Sequence, residues 1–240
     1  MVIRKYSIDL FWFLFKRPIF IFSYPKSGST LVRLFIFNLF RIRDNKEISF
    51  SHDELNYFMP EFGKGTFFRA DRYRFLKSHR IFFPTLFKHL IVIRNPFDSL
   101  CSYFEYNKRI DSNFSLDINS FLLSKKGINF YSQHLKLASR SNGLVIVYED
   151  FIENKVAFIK GLFEFLSFSY TEDEVDKLVK GIDRNKQILI ESRSGLGEVK
   201  NFSKEKNYDR YKELISGENL KVIESLDILF CELRDRKTNI

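Results

Sequence analysis

Three groups of residues in this 240-residue chain have types and spacings suited to holding an anion or moving a proton. The first is Lys26-Ser27-Gly28-Ser29-Thr30, a small polar loop between the apolar run Ile19–Phe22, which stops at Tyr24-Pro25, and a second apolar run from Leu31. A turn from strand into helix points free backbone N–H groups and the positive helix end outward, and an anion is their natural guest. Lys26 adds a mobile charge, Gly28 permits close backbone approach, and the hydroxyls of Ser27, Ser29 and Thr30 can donate to phosphate oxygens. The second group is Lys77 and His79, two residues apart in a strand read over 74–79, so that their side chains point the same way. The third is Arg94, where the apolar run 89–93 ends, with Ser102 eight residues on, about two helical turns later. Asn95 as cap, Pro96 at the first helical position and Asp98 in the first turn explain the helix start. Arg94 and Ser102 are not needed for it.

The elements that must position these residues follow from periodicity. Ile19–Phe22 reads as a strand buried on both faces, and 31–40, apolar apart from Arg33 and Asn38, as a helix sunk between layers. Residues 41–73 read as loops with one short helix near 52–58, a candidate acceptor-binding wall because such loops line the ligand crevice at the carboxyl ends of strands. Further helices are expected at 117–124, 127–140 and 153–168, with a buried strand at 144–148. Thr171 to Glu174 forms a capping box that opens a helix over 172–181. A last amphipathic helix over 218–234 turns Leu220, Ile223, Leu226, Leu229 and Phe230 to the core. Strands separated by helices predict an α/β fold, three layers α/β/α around a central parallel sheet.

Length fits a single domain over 1–240. A net charge of +9 and a pI near 9.4 favour anionic partners, but the basic residues are interspersed with acidic ones, which argues against nucleic acid. Cys101 and Cys231 stand far apart with no CxxC spacing, so neither a disulfide framework nor a metal site is expected, and a reducing cytoplasm fits. The apolar stretch 8–15 is too short to span a bilayer and lacks a signal-peptide cleavage site. With Arg4, Lys5, Lys16 and Arg17 around its rings, segment 4–17 has two open readings: packing on the sheet edge, or peripheral contact with an anionic membrane. Oligomeric state is not legible.

The order of residues in the first loop matters, because the nucleoside-triphosphate loop is GxxxxGK[ST] and here lysine comes first. PKSGST resembles the 5′-phosphosulfate loop of the sulfotransferases, enzymes that use 3′-phosphoadenosine 5′-phosphosulfate (PAPS). IVIRNPFDSLCSYF resembles their 3′-phosphate site, where Arg94 would offer a bidentate fork and Ser102 one further donor. Lys77-Ser78-His79 resembles the family's Lys-Thr-His, Tyr148-Glu149-Asp150 its Tyr-Glu-Asp at a strand terminus, and Arg193-Ser194-Gly195 its late Arg-Lys-Gly loop. The resemblance spans residues 19–202.

It implies a fold like that of the P-loop nucleotide kinases and in-line sulfuryl transfer from PAPS to an acceptor hydroxyl. 3′-Phosphoadenosine 5′-phosphate (PAP) would be the product, and no metal would be required. The implied roles are His79 as general base, Lys26 and the loop N–H groups as stabilisers of the leaving phosphate, Lys77 against the sulfuryl oxygens, and Tyr148 against adenine. Leu31 stands where many members place an adenine-stacking tryptophan; Ser194 replaces a lysine and Val199 a tryptophan. The acceptor is expected to be a glycan or glycolipid, with a small hydrophobic alcohol such as a sterol as alternative. A P-loop kinase is the competing reading from another class.

Overall fold

The computed structural model describes residues 15, 17–62, 74–80, 87–182 and 208–237, with side chains to 235. Strand β1 (Ile19–Ser23) is buried at every position, as expected for an unbroken β-branched and aromatic run. After the polar loop come α1 (Ser29–Arg43), α2 (His52–Phe58) and β2 (Phe75–Ser78). Then follow β3 (His89–Ile93), α3 (Pro96–Ile110), α4 (Ile118–Leu123), α5 (Ile128–Arg140) and β4 (Leu144–Val147). The chain continues with α6 (Tyr148–Glu153), α7 (Lys155–Leu166), α8 (Glu172–Gly181), a 3₁₀ turn (Asp209–Tyr211) and α9 (Gly217–Lys237). The four strands form one parallel sheet in the order β2-β1-β3-β4, with helices flanking it. Leu90 pairs with Leu144 and Ile93 with Val147 across β3 and β4. The α/β expectation thus holds.

The chain divides into two compact units. One takes residues up to Ile21, Thr30–Ser78 and Asp150–Glu205. Its core is built on α1, where Val32, Leu34, Phe35, Ile36 and Leu39 are buried. Arg33 is buried in the same helix because it has a task there: its Nη2 donates to Asn56 Oδ1 and to the Met59 carbonyl, each at 2.8 Å. The guanidinium thereby satisfies the open carbonyl end of α2. Residues 60–62 lie along β2, with Lys77 N donating to the Pro60 carbonyl at 2.9 Å and Phe62 N to the Lys77 carbonyl at 2.8 Å. The capping box at Thr171 and Glu174 is formed as the sequence indicates.

The other unit takes Phe22–Ser29, His79–Glu149 and residues from Lys206 onward. Leu90 to Ile93 of β3, Leu100 and Phe104 of α3, and Tyr131 and Leu135 of α5 form its interior. Ile223, Leu226 and Phe230 of α9 are buried as expected, joined by Leu233, whereas Leu220 and Leu229 are half-buried. Both cysteines are free.

Three local expectations change. Tyr148 opens a helix instead of ending a strand; its β propensity extended the run LVIV by one residue, while Glu149 and Asp150 behind it favour a helix N-terminus. The helix read over 153–168 is two helices, because Asn154 ends one and caps the next by accepting from Ala157 N. β2 ends at Ser78, so strand alternation does not set the direction of His79. Residues 4–14 and 16 of the aromatic-basic segment lie outside the described residues, as do Arg193, Ser194 and Gly195. No helix among the described residues is long and apolar enough to cross a membrane.

Candidate active site

Lys26, Ser27, Gly28, Ser29, His79, Arg94, Ser102 and Tyr148 all belong to the second unit, and Thr30, Leu31 and Lys77 to the first. Helix α1 starts at Ser29 with no acidic residue in its first turn. The N–H groups of Ser29, Thr30 and Leu31 therefore face outward with no carboxylate of their own turn to neutralise them. Lys26 (φ +68°) and Gly28 (φ +91°) both adopt left-handed backbone, which coils the loop tightly. Gly28 has a second reason to lack a side chain: a Cβ there would lie 2.2 Å from the Tyr148 ring. Ser27 is fully buried, its Oγ 3.3 Å from Ser99 Oγ on α3, so this hydroxyl anchors the loop to α3 where the sequence suggested an anion donor.

Arg94 sits at the end of β3, its carbonyl accepting a hydrogen bond from the Tyr131 hydroxyl. Burial pushes the Tyr131 phenol far above its ordinary value, which keeps it a donor. The Arg94 guanidinium donates to Asp98 Oδ2 at 3.1 Å and to the Lys26 carbonyl at 3.4 Å, and lies over the Tyr148 ring at 4.9 Å from its centroid. Its Nε is buried, 3.9 Å from Glu149 Oε1, and makes no hydrogen bond among the described residues. Burial raises the Glu149 carboxyl, opposed by the Asn95 N–H that it accepts at 3.0 Å. Ser102 is buried on α3 about two turns beyond Arg94, and the Tyr208 side chain bonds to it. The structure thus joins the two candidate anion sites through the Arg94–Lys26 bond and through one ring, Tyr148, which touches both Gly28 and Arg94.

His79 presents its Nδ1 to the Ser23 carbonyl at 2.8 Å. A carbonyl can only accept, so Nδ1 carries the proton and the lone pair of the neutral ring falls on Nε2. That is the tautomer a general base requires. Lys77 is engaged elsewhere, its Nζ 3.7 Å from Glu61 Oε2 in the first unit.

Two side chains here were not singled out in the sequence. Lys26 Nζ lies 4.7 Å from the centroid of Tyr106, which is one turn beyond Ser102 on α3; that i, i+4 relation was the available signal. His134 of α5 is buried and electrostatically coupled to His79, with its Nε2 making no hydrogen bond among the described residues. Burial pushes its imidazole down to about 4, against a hydrogen bond to the Val92 backbone that raises it. The unfolded chain takes up this proton below about pH 6.5, whereas the folded protein resists it until about pH 4. Stability from this residue is therefore complete above the unfolded value and declines as pH falls. Chemical denaturation should show a loss on the order of 2 kcal/mol between about pH 7.5 and pH 5, a slope that His134→Gln flattens. An unchanged slope in the variant would assign the pH dependence to other groups.

The sulfotransferase domain family matches residues 16–187, most of the chain. The protein belongs to the sulfotransferase family. Sulfotransferase 6B1 of Mus musculus is 26% identical over 181 residues, covering 65% of this chain and 57% of the relative. The chain thus spans little over half the length of that relative. Among solved structures, mouse sulfotransferase SULT7A1 complexed with PAP aligns over 92% of this chain and 89% of its own, with TM-score 0.58 and 17% identity. Retinol dehydratase in complex with retinol and PAP aligns over 90% of this chain and 81% of its own, with TM-score 0.56 and 16% identity. At these identities the likeness to both structures is one of fold.

Proposed function

We propose that the protein is an enzyme that transfers the sulfuryl group of PAPS to an acceptor hydroxyl. The observation that supports this reading is the contact between two candidate anion sites in one unit, the loop Lys26–Ser29 and the Arg94–Ser102 pair, linked by Tyr148 and by the Arg94 bond to the Lys26 carbonyl. A nucleotide with phosphates at both the 5′ and 3′ positions uses both. The residues fit such a group: the helix end lacks acidic residues, Gly28 leaves the backbone uncovered by a side chain, and the buried Arg94 Nε has a hydrogen bond still to give. PAP bound to the two structural relatives points to the same ligand.

PAPS, when bound, supplies an activated sulfuryl group whose S–O bond to the 5′-phosphate breaks as a new S–O bond to the acceptor oxygen forms. His79 Nε2 takes the acceptor's proton. Lys26, with the N–H groups of Ser29, Thr30 and Leu31, meets the negative charge left on the 5′-phosphate, which grows towards the transition state. Arg94 and Ser102 hold the 3′-phosphate, with the bond from Ser102 to Tyr208 steadying the serine. Tyr148 packs on the loop glycine and the arginine, and its remaining ring edge is the surface offered to adenine. Ser27 acts through Ser99 and keeps the loop's shape.

For the acceptor, the rings of Tyr103, Tyr106 and Phe130 are only half-buried near Lys26, with Tyr103 stacked on Tyr106 at 6.4 Å and Tyr24 bridging towards Phe130 at 5.5 Å. Such a surface favours a hydrophobic alcohol over the glycan or glycolipid that the sequence put first. Calorimetry with PAP and adenosine 5′-phosphate tests the nucleotide: PAP should bind at least about tenfold more tightly, since a charge-assisted pair is worth more than about 1.4 kcal/mol. Equal affinities would remove the assignment, and magnesium-dependent ATP turnover would favour the kinase.

A further inference from the structure

We propose that Tyr106 is the positioning residue for Lys26, its ring a seat that pre-orders the lysine ammonium for the leaving phosphate. The inference rests on the sulfotransferase reading above and adds a residue to it. Lysine is a poor electrostatic catalyst when left to itself, because its four-carbon stem samples many rotamers and ordering it costs side-chain entropy. Two features restrict it here. The left-handed backbone at Lys26 (φ +68°) limits the side-chain rotamers open to it, and the ammonium lies 4.7 Å from the centroid of the Tyr106 ring, within the range of a cation–π contact.

The seat is itself fixed. Tyr106 stacks on Tyr103 with centroids 6.4 Å apart and planes at 26°. Tyr103 meets Tyr24 edge-on at 5.5 Å, and Tyr24, fully buried, donates to the Lys126 carbonyl at 2.6 Å. Tyr24 is also the residue whose carbonyl accepts from Ser27 N at 3.2 Å. A chain of contacts thus runs from the loop through Tyr24 and Tyr103 to Tyr106 and back to the loop at Lys26. Helix α3 closes it twice, since Ser99 and Tyr106, seven residues apart, share a face and meet Ser27 and Lys26 respectively. An ammonium has three donors, so one side can rest on the ring while the other gives a hydrogen bond to phosphate.

A double-mutant cycle in PAP affinity tests this, with Tyr106→Leu and Tyr106→Phe each made in the wild-type and Lys26→Met backgrounds. Tyr106→Leu should weaken PAP by roughly twofold to thirtyfold, the range of a cation–π contact, and Tyr106→Phe, which keeps the ring face, should change it little. In the Lys26→Met background Tyr106→Leu should have almost no further effect. Reductive ¹³C-methylation of the lysines gives a readout independent of nucleotide: the Lys26 resonance, assigned with Lys26→Arg, should lose its upfield ring-current shift in Tyr106→Leu and keep it in Tyr106→Phe. The same loss of affinity in both backgrounds, or a ring-current shift in wild type that Tyr106→Leu leaves in place, would overturn the proposal. A wild-type protein that prefers neither PAP nor adenosine 5′-phosphate would instead overturn the sulfotransferase reading itself.

Discussion

Turnover by His79→Ala should fall by roughly 10²- to 10⁴-fold, the usual cost of losing a general base, while PAP affinity stays within about twofold of wild type because the imidazole serves the acceptor in this reading. The expectation follows from one hydrogen bond, that of His79 Nδ1 to the Ser23 carbonyl, which fixes the tautomer and aims Nε2 away from the strand. Single-turnover transfer of labelled sulfuryl from PAPS measures the rate directly. Acceptor acidity provides the control: a phenol with a pKa of about 10 should recover part of the rate at high pH, whereas an aliphatic alcohol should not. Turnover at the wild-type rate would dismiss His79 as base, and His52 and Glu54 of α2 would be next in line. Glu54 is the weaker of those two, being half exposed and paired with Arg41 at 3.0 Å.

Arg94→Ala should cost about 2–5 kcal/mol of PAP binding, roughly thirtyfold to a few thousandfold, and most of it should appear as faster dissociation. Adenosine 5′-phosphate should lose far less, so the variant no longer distinguishes the two nucleotides. Arg94 is four-fifths buried and also faces Asp98 and Glu149. Removing it leaves the enclosed Glu149 carboxyl without its cation, which raises that group further and lets it protonate. Arg94→Lys separates the two effects: it keeps a charge for Glu149 but loses the planar fork, so stability should return before nucleotide selectivity does.

The sheet, and the strand ends at which the two candidate anion sites stand, were legible because each is announced by a local rule. A β-branched run stops, a cap or a small polar loop follows, and the residue at that boundary is not needed for the helix start; Arg94 after HLIVI is such a residue. Helix spacing carried Ser102 for the same reason. What stayed hidden depends on which helix crosses which loop. Ser27 read as a phosphate donor because hydroxyls near a helix end usually are, and its second partner, Ser99 of α3 at 3.3 Å, has no signal in the local sequence. Tyr106 was not singled out, since rings at helical spacing normally pack in a core, and no local pattern announces that the Lys26 ammonium lies on its face. Tyr148 was seen, but its ring lies on Gly28 and Arg94 across sequence separations that no periodicity encodes.

The segment Pro60–Phe62 has a consequence for how the chain survives its own synthesis. β2 stands at one end of the sheet order, and an outermost strand offers unpaired N–H and C=O groups to any other extended chain nearby. Pro60 and Phe62 take both backbone groups of Lys77, and Glu61 bridges to the same residue with a carboxylate 3.7 Å from its ammonium. Proline, which has no N–H to pass the ladder on, and a charged pair at the margin are both devices that stop a sheet from growing. Until those three residues settle, the nascent protein carries an open strand edge along Phe75–Ser78. Aggregation during expression should therefore track the docking of this short segment more than the packing of the large helices.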